Sequence, residues 1–383
     1  MLDKRMMRTW AEIDLDALTH NYRSLRAMLA EGCKFLGLVK ANAYGHGAPA
    51  VAKKLQELGA DMLAVACLAE AEELRGAGVT LPILCLGKTP VELVGDLLAA
   101  DVTQTVQDLE TAKKLSEAAV AEGKKLTVHV KLDTGMGRLG FLWTRDGDHR
   151  QVLDEIEEVC DLPGLYVQGL FTHFANADGS EEYTMDQLTR YLDAREALEE
   201  REVHFDLYHC GASAAVLNYP CTHMDMGRPG LALYGYYPDP AEEGLDGPGL
   251  EPVMTVKSRV AAVRDLPAGT CISYGSTVTL HRDSRIAVLP IGYGDGYPRA
   301  LSNRGHVKVD DVVCPILGRI CMDMCMVDVT DADDVQPGDT AVIYDGDLIE
   351  AAAALTDTIV YEILCGVGGR IPRVCMEGGA PVR

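Results

Sequence analysis

Lys40 closes a short apolar run, Phe35-Leu36-Gly37-Leu38-Val39, and is followed by Ala41-Asn42-Ala43-Tyr44-Gly45-His46-Gly47. The run reads as a buried strand. A lysine at its carboxyl end is costly unless it has a chemical task. Burial disfavours the ammonium form, which suits an amine that must form a Schiff base. On position alone, a lysine that snorkels to solvent fits as well. Polar residues recur, however, after later apolar runs: Lys131, Asp133 and Arg138, then His173, then His209 and Ser213, then Arg228 and Gly230. Any one of these has an ordinary structural explanation, but the set favours a shared site. Ser213 and the turn Gly227-Arg228-Pro229-Gly230-Leu231 are suited to phosphate, because glycine frees backbone N–H groups to form an anion nest. A phosphate site facing a strand-end lysine points to a phosphorylated aldehyde, pyridoxal 5'-phosphate.

The elements that must position these residues alternate. Candidate strands are Phe35–Lys40, Met62–Cys67, Pro82–Gly87, Thr103–Val106, Thr127–Asp133, Leu165–His173, Asp206–Cys210 and Met224–Gly227. Between them, Ala48, Val51, Ala52, Leu55 and Leu58, and later Val152, Ile156 and Val159, recur at helical spacing. Eight such units in roughly 230 residues predict an α/β fold, a (β/α)8 TIM-type barrel, whose active sites lie at the carboxyl ends of the strands. An open doubly wound sheet is the other arrangement considered. Gly135-Met-Gly137-Arg138-Leu-Gly140 matches the dinucleotide fingerprint in form. Those glycines should open a helix, whereas Phe141-Leu142-Trp143 follows and the next helical pattern starts near Asp148.

From Pro238 to Pro252 prolines and glycines break the pattern, and beyond it Val253 to Val263, Arg285–Pro290, Cys325–Val329 and Thr340–Tyr344 read as strands between Gly, Asp and Pro. The expected division is an N-terminal strand in 1–13 that packs with the C-terminal domain, a barrel over 14–243, and a β-rich domain over 244–383. The 383 residues, 48% hydrophobic, suffice for two domains. The net charge of −23 argues against nucleic acid or an anionic membrane as partner, and no apolar stretch approaches a membrane span. The twelve cysteines, several in apolar runs (Cys67, Cys85, Cys314), are expected to be reduced and buried in a cytoplasmic protein. Cys321 and Cys325 lack zinc-site spacing, so no metal is expected.

Val39-Lys40-Ala41-Asn42-Ala43-Tyr44-Gly45-His46-Gly47 resembles the cofactor-attachment signature of alanine racemases. The resemblance continues, in the family's order, through Lys131-Leu-Asp133-Thr-Gly-Met-Gly-Arg138, Thr172-His173-Phe174, Gly227-Arg228-Pro-Gly230, Ser273-Tyr274-Gly275, Gly292-Tyr-Gly-Asp-Gly296, Cys321-Met322-Asp323 and Tyr361-Glu-Ile-Leu-Cys365. It implies a pyridoxal phosphate barrel plus a β domain, acting as a homodimer with shared sites. Lys40 would hold the cofactor. Tyr44, Ser213, Gly230, Leu231 and Tyr361 would surround its phosphate, and Arg228 would face the pyridine nitrogen. Arg138 would contact the phenolic oxygen, and Met322 and Asp323 would lie by the substrate. Lys131 matches a lysine often carbamylated in the family. One departure is Ala212 before Ser213, where many members have asparagine.

Racemisation needs an acid and a base on opposite faces of a planar carbanion, and the resemblance gives these roles to Lys40 and Tyr274. A tyrosine near pKa ~10 needs help as a base at neutral pH, which His173 and Arg228 are placed to give, with His209 extending the network. The expected activity is interconversion of L- and D-alanine, with D-alanine used for cell-wall synthesis. A serine or broad-specificity racemase is the near alternative. A barrel-type decarboxylase fits less well, because the Tyr274 and Tyr361 contexts match racemases, and a cofactor-carrying regulatory protein fits less well, because such proteins usually lack a second domain like the one bearing Tyr274.

Overall fold

The apolar runs of the first 230 residues become strands of a single parallel sheet. Its members, in spatial order, are Met226–Gly227, Lys34–Leu38, Met62–Val65, Ile83–Cys85, Val102–Val106, Leu126–Asp133, Leu165–Phe171 and Leu207–His209. Each is shorter than or close to the run that predicted it. The eighth strand pairs with the first, Met226 opposite Lys34. It also meets the seventh through Asp225 N–H to the Tyr208 carbonyl and Arg228 N–H to the Gly211 carbonyl. The sheet therefore curls into a TIM-type barrel rather than an open sheet. Strand interiors such as Phe35, Leu36, Leu63, Leu84, Val128 and Leu170 are fully buried, as expected of a parallel sheet covered by helices. Two of the longer helices start where the sequence supplies caps: Asp108 accepts from Thr111 N–H before Leu109–Ala121, and Ser180 accepts from Tyr183 N–H before Glu181–Glu199.

The computed structural model describes residues 3–239 and 247–382. The boundary expected at 243–244 lies outside the described residues. The chain divides into two compact units, one comprising residues 19–43 and 48–250, the other residues 1–18, 44–47 and 251–383.

The second unit is built on a ten-stranded sheet in the order Ala262–Leu266, Ser284–Leu289, Cys325–Asp328, Val312–Leu317, His306–Val309, Thr340–Tyr344, Met254–Arg259, Thr9–Asp14, Arg373–Glu377 and Ala380–Pro381. Thr9–Asp14 runs antiparallel to Met254–Arg259 and parallel to Arg373–Glu377. Thr9, Trp10, Ala11 and Ile13 are all buried, so both faces of this strand are covered. The twelve cysteines form no disulfide, but the expectation that they are buried holds for only five of them: Cys67, Cys221, Cys271 and Cys365 are exposed, and Cys160, Cys321 and Cys375 are half-buried. The second barrel strand stops at Val65, and Cys67 caps the following helix in the open. Among the described residues no helix is long and apolar enough to cross a membrane.

Candidate active site

Directly after the first barrel strand the backbone does something that its residue types do not announce. Ala41, Asn42, Ala43 and Tyr44 all have φ near +50°, with ψ between 45° and 52° for the first three. This is a turn of left-handed helix, a conformation that costs L-residues roughly 1–2 kcal/mol each. Side chains hold it in place. The Glu70 carboxylate accepts from Ala41 N–H at 2.6 Å and from Ala66 N–H at 2.7 Å. Asn42 Oδ1 accepts from Ala48 N–H at 2.8 Å. Strain of this kind collects at functional positions, and here it directly follows Lys40.

Gly45 ends the turn at φ +84°, and a β-carbon there would stand 2.2 Å from the Leu364 carbonyl oxygen. That close approach keeps the Tyr44 ring 5.8 Å from Tyr361, centroid to centroid. Burial raises the Tyr44 hydroxyl above its ordinary range, so it stays protonated. Gly45→Ala is expected to lower unfolding free energy by at least ~2 kcal/mol, combining the left-handed backbone with the clash. Urea denaturation checks this, and a stability equal to wild type would contradict it.

The fifth strand, Leu126–Asp133, brings His129, Lys131 and Asp133 to one face by its two-residue period. Burial favours a neutral Asp133. Backbone N–H groups of Gly137, Gly135 and Arg138 outweigh that and hold the carboxyl below its usual range. The glycine-rich segment thus wraps a carboxylate and leads into Phe141–Leu142, a short strand paired to the fifth, and it opens no helix. Lys131 is pushed down to about 8, by burial first and then by Arg138 and Arg228.

Arg228 is buried, and among the described residues no carboxylate pairs with it. Its Nη2 donates to the carbonyls of Thr172 and Cys210, both at 2.9 Å, and lies 3.3 Å from His173 Nδ1. Its Nη1 lies 2.9 Å from His209 Nδ1. Burial lowers it to about 10, which leaves it a cation at neutral pH. His173 is driven well below its ordinary value by desolvation and then, in order, by Arg228, Arg138, Lys131 and Lys40. Four cations therefore converge on one barrel end of a chain whose net charge is −23. Ser213 is tied to the neighbouring turn. Its Oγ accepts from Gly230 N–H at 2.8 Å and from Ala232 N–H at 3.2 Å. Leu231 begins the short helical turn Leu231–Tyr234.

In the β-rich unit, Tyr274 is 71% and Met322 54% exposed. The turn before Tyr274 is strained. Ser273 has φ +62° and ψ −175°, a region almost reserved for glycine. Ser273 Oγ donates to the Arg319 carbonyl and lies 3.6 Å from Cys321 Sγ, which sets Tyr274 beside the Cys321–Met322 segment. Gly294 N–H donates to the Met322 carbonyl, and Arg370 holds Asp323 at 2.8 Å and approaches the buried Asp295 at 3.4 Å.

Lys40, Lys131, Arg138, His173, His209, Ser213, Arg228, Gly230 and Leu231 thus fall in the barrel unit, and Tyr44, Tyr361, Tyr274, Met322 and Asp323 in the other. Sequence reasoning passed over His129 and Glu70. The signal for His129 was its two-residue spacing from Lys131. Nothing in sequence marks Glu70, because its partner turn is not legible.

A parallel eight-stranded barrel with a strand-end lysine and converging cations has the architecture of the barrel enzymes, whose sites lie at the carboxyl ends of the strands. Residues 13–238 match the family model for the alanine racemase N-terminal domain, and residues 253–375 match that for the C-terminal domain. The alanine racemase of Desulforamulus reducens is 46% identical over 95% of this chain and 98% of its own length. A solved alanine racemase of Clostridium difficile superposes with a TM-score of 0.92 at 39% identity, covering 98% of this chain and 97% of that one. The alanine racemase of Bartonella henselae, described with covalently bound pyridoxal phosphate, gives a TM-score of 0.84 at 28% identity, covering 96% of this chain and 99% of that one. The chain belongs to the alanine racemase family.

Proposed function

We propose that the protein interconverts L-alanine and D-alanine with pyridoxal phosphate, as a cytoplasmic homodimer that supplies D-alanine for cell-wall synthesis. The observation that carries this reading is the convergence of Lys40, Lys131, Arg138 and Arg228 around His173 in a strongly acidic chain. The donor set fits the cofactor: a primary amine at a strand end, an arginine whose partners are all neutral, and the Tyr44 and Ser213 hydroxyls for a phosphate. Ser213 Oγ already receives the Gly230 N–H, so the hydroxyl remains free to donate to an anion. Once bound, the cofactor supplies an electron-withdrawing ring that acidifies the substrate Cα–H.

Lys40 would hold the cofactor, and its amine would also exchange a proton at the substrate Cα on one face. Tyr274 does the same on the other. Arg228 would hold the cofactor's ring nitrogen by a hydrogen bond without surrendering its proton, so that the ring would be a weak electron sink and return of the proton to Cα would be favoured. His173, held neutral, receives Arg228 and supports the tyrosine. Arg138 and Met322 bound the substrate carboxylate, with Asp323 behind them, and Tyr361 with Tyr44 limits side-chain size. Borohydride treatment of the holoprotein is expected to leave cofactor on the peptide containing Lys40. Label on any other lysine would refute the assignment.

Lys131 is proposed to carry a carbamate. Its depressed amine attacks CO2, forms an N–C bond and releases a proton, so a cation facing Arg138 becomes an anion. Occupancy should rise as pH passes upward through about 8, where the amine loses its proton. Carbon-13 NMR under labelled CO2 should show a carbamate signal that is absent in Lys131→Ala. A signal unchanged by that substitution would exclude Lys131.

A further inference from the structure

The hydrogen bonds that leave Arg228 do not stop at His209. His209 Nε2 lies 2.9 Å from His129 Nδ1, and His129 Nε2 lies 3.2 Å from Gln168 Oε1. Both imidazoles are fully buried, and Gln168 is partly exposed. A guanidinium has only N–H groups to offer. The His209 Nδ1 that faces Arg228 must therefore accept and carry no proton. A neutral ring then bears its proton on Nε2 and donates to His129 Nδ1. His129, having accepted, bears its own proton on Nε2 and donates to the Gln168 amide oxygen. One donor-only residue settles both tautomers and the amide's orientation. A second proton on either ring would leave it two donors and no lone pair to receive its neighbour. Burial and Arg228 oppose that proton at both rings.

The sixth strand is shaped around this row. Gly169 is paired with His129, and a β-carbon there would lie 2.8 Å from His129 Nδ1 and 2.9 Å from its Cγ and Cε1. The missing side chain is the space in which the imidazole lies. Two residues on, Phe171 stacks flat on His209, ring centroids 4.7 Å apart at 4°. Gln168 and Gly169 thus serve the His129 end of the pair, and Phe171 the His209 end.

We propose that His129, Gln168 and Gly169 are positioning residues: Gly169 makes the space, Gln168 and His129 hold His209 as a hydrogen-bond acceptor, and His209 so held aims the Arg228 guanidinium. The kinetic consequence rests on the role given above to Arg228 in the racemase site, whereas the tautomers do not.

The test is nitrogen-15 NMR of histidine-labelled holoprotein loaded with pyridoxal phosphate, its ring signals assigned with His129→Gln and His209→Gln. Both rings are expected to be neutral with the proton on Nε2 from about pH 6 to about pH 9. An Nδ1–H tautomer at either ring, or titration in that range, overturns the proposal. Gln168→Leu removes the terminal acceptor at a half-exposed position, and Gly169→Ala displaces the ring. Each should shift the His129 signals and lower kcat about 10- to 100-fold with KM within about twofold. Should Gly169→Ala fail to fold, Gln168→Leu still decides. Wild-type tautomers with wild-type kcat in Gln168→Leu would remove any role for the row. A wild-type protein inert toward alanine would defeat the proposed function, and the tautomers would still be read from the same sample.

Discussion

Lys40→Ala is expected to abolish alanine racemisation in both directions, with kcat/KM lowered by at least about a thousandfold. The side chain is asked to do two things, attachment of the cofactor and proton exchange on one face, and alanine can do neither. Folding should survive the change. Lys40 is only partly buried, while the strand before it, Lys34–Leu38, is fixed by pairing on both sides and by the buried Phe35, Leu36 and Leu38. The left-handed turn after it is held by Glu70 and Asn42. The melting temperature should therefore stay within a few degrees of wild type, which separates loss of chemistry from loss of fold. Activity above a few per cent in the purified variant would remove Lys40 from the mechanism.

What the sequence disclosed follows from how local the signals were. Most barrel strands were legible because burial on both faces makes them read as apolar runs, although Val102–Val106 carries two threonines and a glutamine and Leu165–Phe171 is open at Tyr166. In the β-rich unit, the hairpin of His306–Val309 and Val312–Leu317 was missed. Its two-residue turn is Asp310-Asp311, both at positive φ. Aspartate tolerates that conformation but advertises it far less than Asn-Gly. Pro315, opposite His306, further argues against a strand. Arg373–Glu377 pairs in parallel with Thr9–Asp14, more than 350 positions away, and no local pattern encodes such a partner. The strand-end cations could be located from periodicity alone. Their roles needed the family resemblance, and the left-handed turn is not announced by its residue types, because Ala41, Ala43 and Tyr44 are not residues that favour positive φ. Ser273 is a similar case, since a serine in a glycine-like conformation leaves no mark in the sequence.

The second large effect concerns where the opposing base comes from. Tyr274 and Met322 are exposed side chains of the β-rich unit, joined by Met324 at 48% exposure, and large exposed apolar groups gathered on one surface mark an interaction face. If the site is shared in a two-fold dimer, with Tyr274 of one chain opposite Lys40 of its partner, subunit mixing gives an asymmetric result. Lys40→Ala and Tyr274→Phe homodimers should each be nearly inactive. In a mixed dimer the two defects fall in one site and leave the other intact. With equal amounts and random re-assortment half the dimers are mixed, each with one good site of two, so about a quarter of wild-type activity should return. Were both bases drawn from the same chain, every site in the mixture would keep one defect and no activity would reappear. Subunit exchange must be shown independently, for example by native mass spectrometry of differently tagged chains. In Tyr274→Phe alone, exchange of the Cα proton with solvent should fall far more for L-alanine than for D-alanine, since Lys40 still serves the other face. Equal loss for both isomers, or absence of recovery despite proven exchange, would place the second base elsewhere.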